Sequence, residues 1–80
     1  MGKTDPFKET LKEGRVYRLR RNTEPDEWIN RYGWLWVFLG YDYYSTIYPP
    51  HIRARSVVAG VDVLFLHDAF ETEELGDAGG

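Results

Sequence analysis

The chain contains no cysteine, so neither disulfide bonds nor a zinc site built from thiolates can stabilise its fold. A hydrophobic core must do so alone. A lack of cysteine is also typical of proteins in reducing compartments, and residues 1–11 are polar, without the apolar stretch of a secretory signal. We therefore expect a cytoplasmic protein.

Long apolar runs are missing as well. The longest, Trp34 to Leu39, has six residues, whereas a helix that crosses a membrane needs roughly 20. No segment is therefore expected to span a bilayer. A chain of 80 residues has room for one core and not for a second domain.

Signatures of catalysis are scarce. His51 and His67 are the only histidines and lie in no metal-ligand spacing, and the scattered glycines form no phosphate-binding loop. No serine or threonine lies in a nucleophile motif. Glu71, Glu73 and Glu74 lack the loop pattern of a calcium site. We expect a protein that is not an enzyme and needs neither a cofactor nor a metal.

Aromatic residues and arginine are abundant. Three Trp, six Tyr and four Phe are more than one small core requires, so some rings are expected at the surface. Residues 12–55 hold eight basic and five acidic side chains, whereas six acids and no base follow from Asp62 onward. Seven of the eight bases are arginine, which favours bidentate and stacking contacts. The sequence therefore predicts a basic, aromatic part and an acidic end.

Alternating side chains and β-forming residues predict four main strands. They cover residues 15–20, 32–39, 51–58 and 61–66. A long loop is expected at residues 22–30, attached to the domain through Trp28 and Ile29. The prolines in the aromatic segment 41–50 exclude a central strand there. Ala59 and Gly60 form the predicted turn of the last hairpin, and residues 67–70 a further turn.

This pattern predicts an all-β fold, a small and strongly bent antiparallel sheet of four to five strands. Residues 1–10 form the predicted N-terminal arm, 11–75 the domain and 76–80 a disordered tail. A short last strand or turn is expected at residues 71–75.

The segment Leu11 to Leu19 (LKEGRVYRL) resembles the first turn and first strand of SH3-like barrels. A loop at residues 21–31 and turns at 57–61 and 66–70 follow in the order of that fold. The resemblance implies a small SH3-like β-barrel over residues 11–75. Residues 67–70 lack the Pro and Tyr of ordinary SH3 domains, so it does not imply binding of proline-rich peptides.

Two registers are open for the strand at residues 32–39, because both of its faces are apolar. In the first register Trp34, Trp36 and Phe38 point outward, beside the arginines of neighbouring strands. The inward residues are then Leu35, Val37 and Leu39 with Tyr17, Leu19, Ile52, Ala54, Leu64 and Leu66. The second register places the three aromatic residues in the core and leaves Leu35, Val37 and Leu39 against the long loop.

Arginine beside exposed rings is typical of protein interfaces and of stacking surfaces for single-stranded nucleic acid. The predicted partner-binding residues are Arg18, Arg20, Trp34, Trp36, Tyr43, Tyr44, Tyr48, Arg53 and Arg55. We expect a module that binds one protein partner as a regulator, inhibitor or assembly component, with a phage or mobile-element origin as a guess. Nucleic-acid binding is the alternative, against which the sequence pI of 5.3 argues. A homodimer would use the same surface.

Overall fold

A computed structural model describes residues 9–43 and 49–77 of the chain. These residues form five strands and one helix. The elements are β1 (Arg15–Arg18), α1 (Asp26–Tyr32), β2 (Leu35–Asp42), β3 (His51–Ser56), β4 (Asp62–Phe65) and β5 (Gly76–Asp77). Most of the predicted N-terminal arm lies outside the described residues.

The five strands form one antiparallel sheet in the order β4-β3-β2-β1-β5. Strands β1 to β4 pair in chain order, and β5 returns to pair with β1. The predicted all-β fold with four to five antiparallel strands is confirmed.

The loop predicted at residues 22–30 is confirmed for residues 22–25 and wrong for residues 26–30, which belong to helix α1. Pro25 precedes the helix with φ of −62°, a value that suits the start of a helix. Asp26 and Glu27 lie in the first turn and Arg31 in the last, so their charges complement the helix dipole. These local signals favour a helix, although a weak one.

Packing against the sheet stabilises this short helix, since seven residues are too few for an independent helix in water. Ile29 is buried, and the ring of Trp28 stacks on that of Trp36 with centroids 5.3 Å apart. Trp28 also meets the ring of Phe65 edge-on at 5.7 Å. The predicted attachment of this segment through Trp28 and Ile29 is confirmed.

Strand β2 covers Leu35–Asp42 rather than residues 32–39. Its start is set by Gly33, whose N–H donates to the carbonyl of Ile29 (2.6 Å) and whose φ is +86°. Glycine adopts this left-handed conformation without the strain of a Cβ atom. The chain therefore leaves the helix at Gly33 and turns into the strand.

A bulge interrupts β2. Phe38 pairs with Ala54 before it and Gly40 pairs with Arg53 after it, so Leu39 is an extra residue in the ladder. An extra residue on one strand bends that strand and increases its twist. A bulge at this position favours the bending that the sequence predicts for the sheet.

The buried side chains lie on one face of the sheet, here called the inner face. They are Tyr17, Leu19, Trp36, Phe38, Ile52, Ala54, Ser56 and Phe65. The first predicted register of β2 is therefore wrong: Trp36 is 0% exposed and Leu35 is 36% exposed. The second register is confirmed for the aromatic residues, with Trp34 partly buried against the core. Its placement of Leu35 and Val37 against the long loop is wrong, because Trp28 of that segment packs on Trp36, on the opposite face.

The inward positions predicted for Leu64 and Leu66 are wrong as well. Both side chains are exposed, and Phe65 between them is buried. Phe65 meets the rings of Trp36 and Phe70 edge-on, each at 4.9 Å between centroids. The aromatic cluster therefore decides which face of β4 is buried.

Side-chain volume explains the observed register. Trp36 lies opposite Ser56, and Phe38 lies opposite Ala54. Small residues on β3 leave the space that large rings on β2 fill, as dense packing of a core requires. Leucine and valine at the same positions would leave cavities beside Ala54 and Ser56.

The hairpin predicted around Ala59 and Gly60 is confirmed by the pairing of β3 with β4. A turn also follows β4, where the N–H of Ala69 donates to the carbonyl of Leu66 (3.1 Å). Two boundaries differ from the prediction. Strand β1 ends at Arg18 rather than at residue 20. Gly76–Asp77, predicted as tail, pairs with β1 as β5.

Candidate functional site

The sheet has a second face, opposite the core and helix α1, here called the outer face. Cross-strand pairs place its side chains together, because residues directly opposite each other share a face. They are Val16, Arg18, Leu35, Val37, Arg53, Arg55, Val57, Asp62 and Leu64. Alternation along β3 therefore puts Arg53 and Arg55 on the face opposite to Ile52 and Ala54.

Five of the nine residues named on the outer face are aliphatic. Val57 and Leu64 are each 51% exposed and Leu35 is 36% exposed, while Val16 and Val37 are half-buried. The solvent side of an antiparallel sheet usually carries polar side chains. An aliphatic surface in that position is the composition of a protein contact.

Charge on the outer face is predominantly positive. Arg55 and Asp62 form a two-point ion pair, in which Nε and Nη2 of Arg55 donate to the two carboxylate oxygens at 2.6 and 3.2 Å. Hydrogen bonding to Arg55 lowers the pKa of Asp62 below its ordinary value of 3.8, so Asp62 is ionised at neutral pH. Within the described residues, Arg18 and Arg53 form no ion pair. Neither guanidinium group is held in a direct ion pair there, although Arg53 shares a hollow with Glu13 and Asp42.

Arg18 lies at the β1 side of this face, beside Trp34. Its guanidinium carbon is 5.3 Å from the centroid of the Trp34 ring, within cation–π range. Both residues line a hollow of about 310 Å³. Its other lining residues are Leu19, Arg21, Asn22, Glu24, Asp26 and Glu71. Since acids and bases are mixed there, the hollow has no single charge preference.

The structure brings together three of the predicted partner-binding residues, Arg18, Arg53 and Arg55, on the outer face. Trp34 lies beside this group through its contact with Arg18. Arg20 is exposed beyond the end of β1, with its N–H bonded to the carbonyl of Ala69 (2.8 Å).

The remaining predicted residues do not join this group. Trp36 is fully buried, so its predicted contact with a partner is wrong. Tyr43 is exposed beyond the end of β2, and its hydroxyl donates to the carboxylate of Glu9. Tyr44 and Tyr48 lie outside the described residues. The predicted aromatic and arginine surface is therefore an aliphatic and arginine surface.

Sequence reasoning missed Leu35, Val37 and Leu64 as surface residues because it assigned them to the core. A usable signal was present in β3, whose inward positions Ala54 and Ser56 are small. Small inward residues require large partners on the neighbouring strand, which only the aromatic residues of β2 supply. The aliphatic residues then point outward by alternation.

The remaining observations identify no second candidate site in the described residues. The described residues contain no group of three His, Cys, Asp or Glu side chains that could hold a metal ion. Helix α1, the one helix in residues 9–43 and 49–77, is not long and apolar enough to cross a membrane. Comparison of the chain with protein-family models, curated proteins and solved structures returned no match.

Proposed function

We propose that the chain is a non-catalytic protein-binding module whose outer face binds an acidic and apolar surface of one partner protein. One observation carries the proposal: aliphatic side chains of the sheet lie in solvent between arginines that have no ion pair among the described residues. A partner that covers this face gains hydrophobic burial, the main favourable term in association.

The positive charge of the outer face determines the chemistry of the partner. The whole chain has a net charge of −3, yet the strand residues of this face include three arginines and one aspartate. Acidic groups on the partner would be attracted to Arg18 and Arg53, which fixes orientation and raises the association rate. The aliphatic residues Leu35, Val37 and Leu64 would supply most of the affinity.

Nucleic-acid binding is the weaker alternative. Non-specific binding of single strands needs rings on which bases stack. Trp36 and Phe38, which would have supplied such rings on the sheet, are buried on the inner face. The acidic sequence, with a pI of 5.3, also repels phosphates at long range.

The proposal includes an SH3-like arrangement of the sheet in a cytoplasmic protein. Three features support this arrangement: β5 pairs with β1, a bulge bends β2, and a turn precedes the bridge between Leu19 and Phe70. SH3-like barrels serve many different functions, so the arrangement alone does not identify a ligand.

Site-specific photo-crosslinking tests the proposed surface. A photo-reactive residue in place of Leu35 on the outer face is compared with one in place of Arg31, which is exposed on helix α1. We expect a protein adduct from the Leu35 position and none of the same mass from the Arg31 position. The adduct must resist nuclease.

Affinity for the purified partner then tests the chemistry. Arg53→Glu is expected to weaken binding about tenfold at low salt, and Val37→Ser by a similar factor, with the variants' fold verified by circular dichroism. Arg31→Glu is the matched control and should leave affinity unchanged. Adducts that disappear with nuclease, or affinity that depends on Arg31 rather than Arg53, would contradict the proposal.

A further inference from the structure

Strand β4 is one edge of the sheet and pairs with β3 alone. The N–H of Ser56 donates to the carbonyl of Val61 (2.9 Å), so these two opposite residues form a hydrogen-bonded pair. Hydrogen-bonded and non-hydrogen-bonded pairs alternate along an antiparallel ladder. The backbone N–H and C=O groups of Asp62 and Leu64 therefore point away from β3, toward the edge.

This edge carries only part of the usual protection against pairing with another chain. Edge strands are commonly protected by short length, charged side chains, proline or a bulge, and β4 has four residues that include Asp62. Residues 61–66 contain neither lysine nor proline, and the β3–β4 register has no shift. Leu64 and Leu66 along this edge are 51% and 64% exposed. The opposite edge, β5, has only two residues, so β4 is the better strand for pairing.

A small hollow of about 150 Å³ lies at the same edge, lined by Arg53, Asp62, Val63 and Leu64. Arg55 already neutralises the charge of Asp62 through two hydrogen bonds. Arg53 is therefore the cation of the hollow without a direct ion pair among the described residues, and it favours an acidic side chain. Leu64 beside it favours an aliphatic one.

We infer that β4 accepts an extended segment of the partner protein as an added strand, with an aliphatic side chain opposite Leu64 and an acidic side chain two residues along. The acidic side chain reaches diagonally across β4 toward Arg53, which lies directly opposite Leu64 on β3. Side chains two apart in a strand share a face, so one segment satisfies both contacts. Main-chain bonds to Asp62 and Leu64 supply affinity, and the two side chains supply selectivity. The inference rests on the proposed function in taking an acidic and apolar protein as the occupant.

A second copy of the chain fits this edge less well. Pairing of β4 with another β4 involves four residues on each side, far less contact than the roughly 1,200 Å² that stable interfaces bury. It would also offer no acid to Arg53 other than Asp62, which is already paired. A partner that also covers the outer face has both surfaces available.

Short capped peptides test the inference with the intact chain. The probe alternates glutamate and valine on one face and carries threonine on the other, and its lysine counterpart is the control. Because short peptides are expected to bind weakly, their binding is measured by NMR of the backbone amides of the chain. We expect the acidic peptide to shift the amides of Asp62 and Leu64 and to slow their hydrogen exchange. Arg53→Glu should weaken this binding about fivefold, whereas Arg31→Glu should not.

Peptide N-methylation separates strand addition from side-chain contact alone. In an added strand, every second backbone N–H of the peptide faces β4. Methyl groups on these nitrogens should weaken binding about tenfold, and methyl groups on the other nitrogens should have little effect. Equal effects of both sets, or equal binding of the lysine peptide, would overturn strand addition.

The pattern of amide shifts distinguishes this inference from the proposed function. Shifts confined to Val16, Leu35 and Val37 would refute an added strand while supporting the outer face as a binding surface. No shift with any acidic peptide at millimolar concentration would count against both. Concentration-dependent self-association that Leu64→Pro abolishes would identify a second copy as the occupant and overturn the inference.

Discussion

The rings of Trp28 and Trp36 stack with centroids 5.3 Å apart and an angle of 8° between their planes. Trp28 belongs to helix α1 and Trp36 to strand β2, so this contact joins the helix to the sheet. The indole Nε1 of Trp36 donates to the carbonyl of Gly33 (3.1 Å), between helix and strand. One buried residue therefore connects three parts of the fold, and its neighbours on β2 face solvent.

Truncation of neighbouring residues should therefore have opposite consequences. Trp36→Ala removes the stacked ring from a buried site and should lower the free energy of unfolding by about 3 to 5 kcal/mol. Leu35→Ala, on the outer face, should cost about 0.5 kcal/mol. Urea unfolding followed by circular dichroism measures both, with Trp36→Phe as a milder variant of intermediate stability. A larger cost for Leu35→Ala would mean that the inner and outer faces are exchanged.

Two glycines with similar positive φ angles differ in how crowded their surroundings are. Gly33 and Gly14 have φ of +86° and +83°. A Cβ atom at Gly33 would lie 3.1 Å from Cγ2 of Val58, whereas one at Gly14 would meet nothing within 4 Å. Gly14→Ala should cost about 1 kcal/mol from backbone strain alone, and Gly33→Ala should cost more.

Combining Gly33→Ala with Val58→Ala tests the origin of the difference. Removal of the crowding methyl groups should bring the cost of Gly33→Ala close to that of Gly14→Ala, as thermal unfolding of the four variants would show. If Val58→Ala leaves the cost of Gly33→Ala unchanged, crowding is not its cause.

Ser56 is a buried hydroxyl whose hydrogen bonds connect helix and hairpin. It donates to the carbonyl of Tyr32 (2.6 Å) and accepts from the N–H of Ala59 (2.9 Å). Ser56→Ala should destabilise the fold by about 1 to 3 kcal/mol, because two backbone groups lose their partner. Thr72→Ala is the control at an exposed site and should change little in chemical denaturation. Equal stability of the two variants would contradict the structural role of Ser56.

The Arg55–Asp62 pair makes a prediction about pH. The folded-state pKa of Asp62 lies below 3.8, so its contribution to stability is fully present above pH 3.8 and is lost as pH falls through the lower value. NMR of the side-chain carboxyl carbon should show Asp62 titrating below 3.8 in the native chain. Arg55→Gln should return the midpoint toward 3.8. An unchanged midpoint would show that the hydrogen bonds do not persist in solution.

The sequence predicts the β3–β4 hairpin well because Ile52 and Ala54 alternate with Arg53 and Arg55, which leaves one choice of buried face. Strand β2 is harder, since both of its faces are apolar and alternation alone cannot rank them. Packing against Trp28 decides the question, and that contact depends on a helix elsewhere in the chain.

Helix α1 itself escapes prediction for a related reason. Seven residues with few strong helix formers give a weak local signal, and burial of Ile29 provides the missing stability. The same distinction applies to the candidate site. The outward position of Arg53 and Arg55 follows from alternation along β3, whereas the outward position of Leu35 and Val37 depends on which face of β2 is buried.

The bulge in β2 also bears on how the gene for such a domain can change length. Removal of Leu39 would bring Phe38 next to Gly40, and every remaining pair with β3 would keep its partner. Loss of a single residue from Leu35 to Phe38 would instead shift the register by one residue on one side of the deletion. Aromatic and aliphatic side chains of β2 would then exchange faces there. An in-frame deletion at position 39 thus removes the bulge and leaves the inner and outer faces of the sheet in their present register.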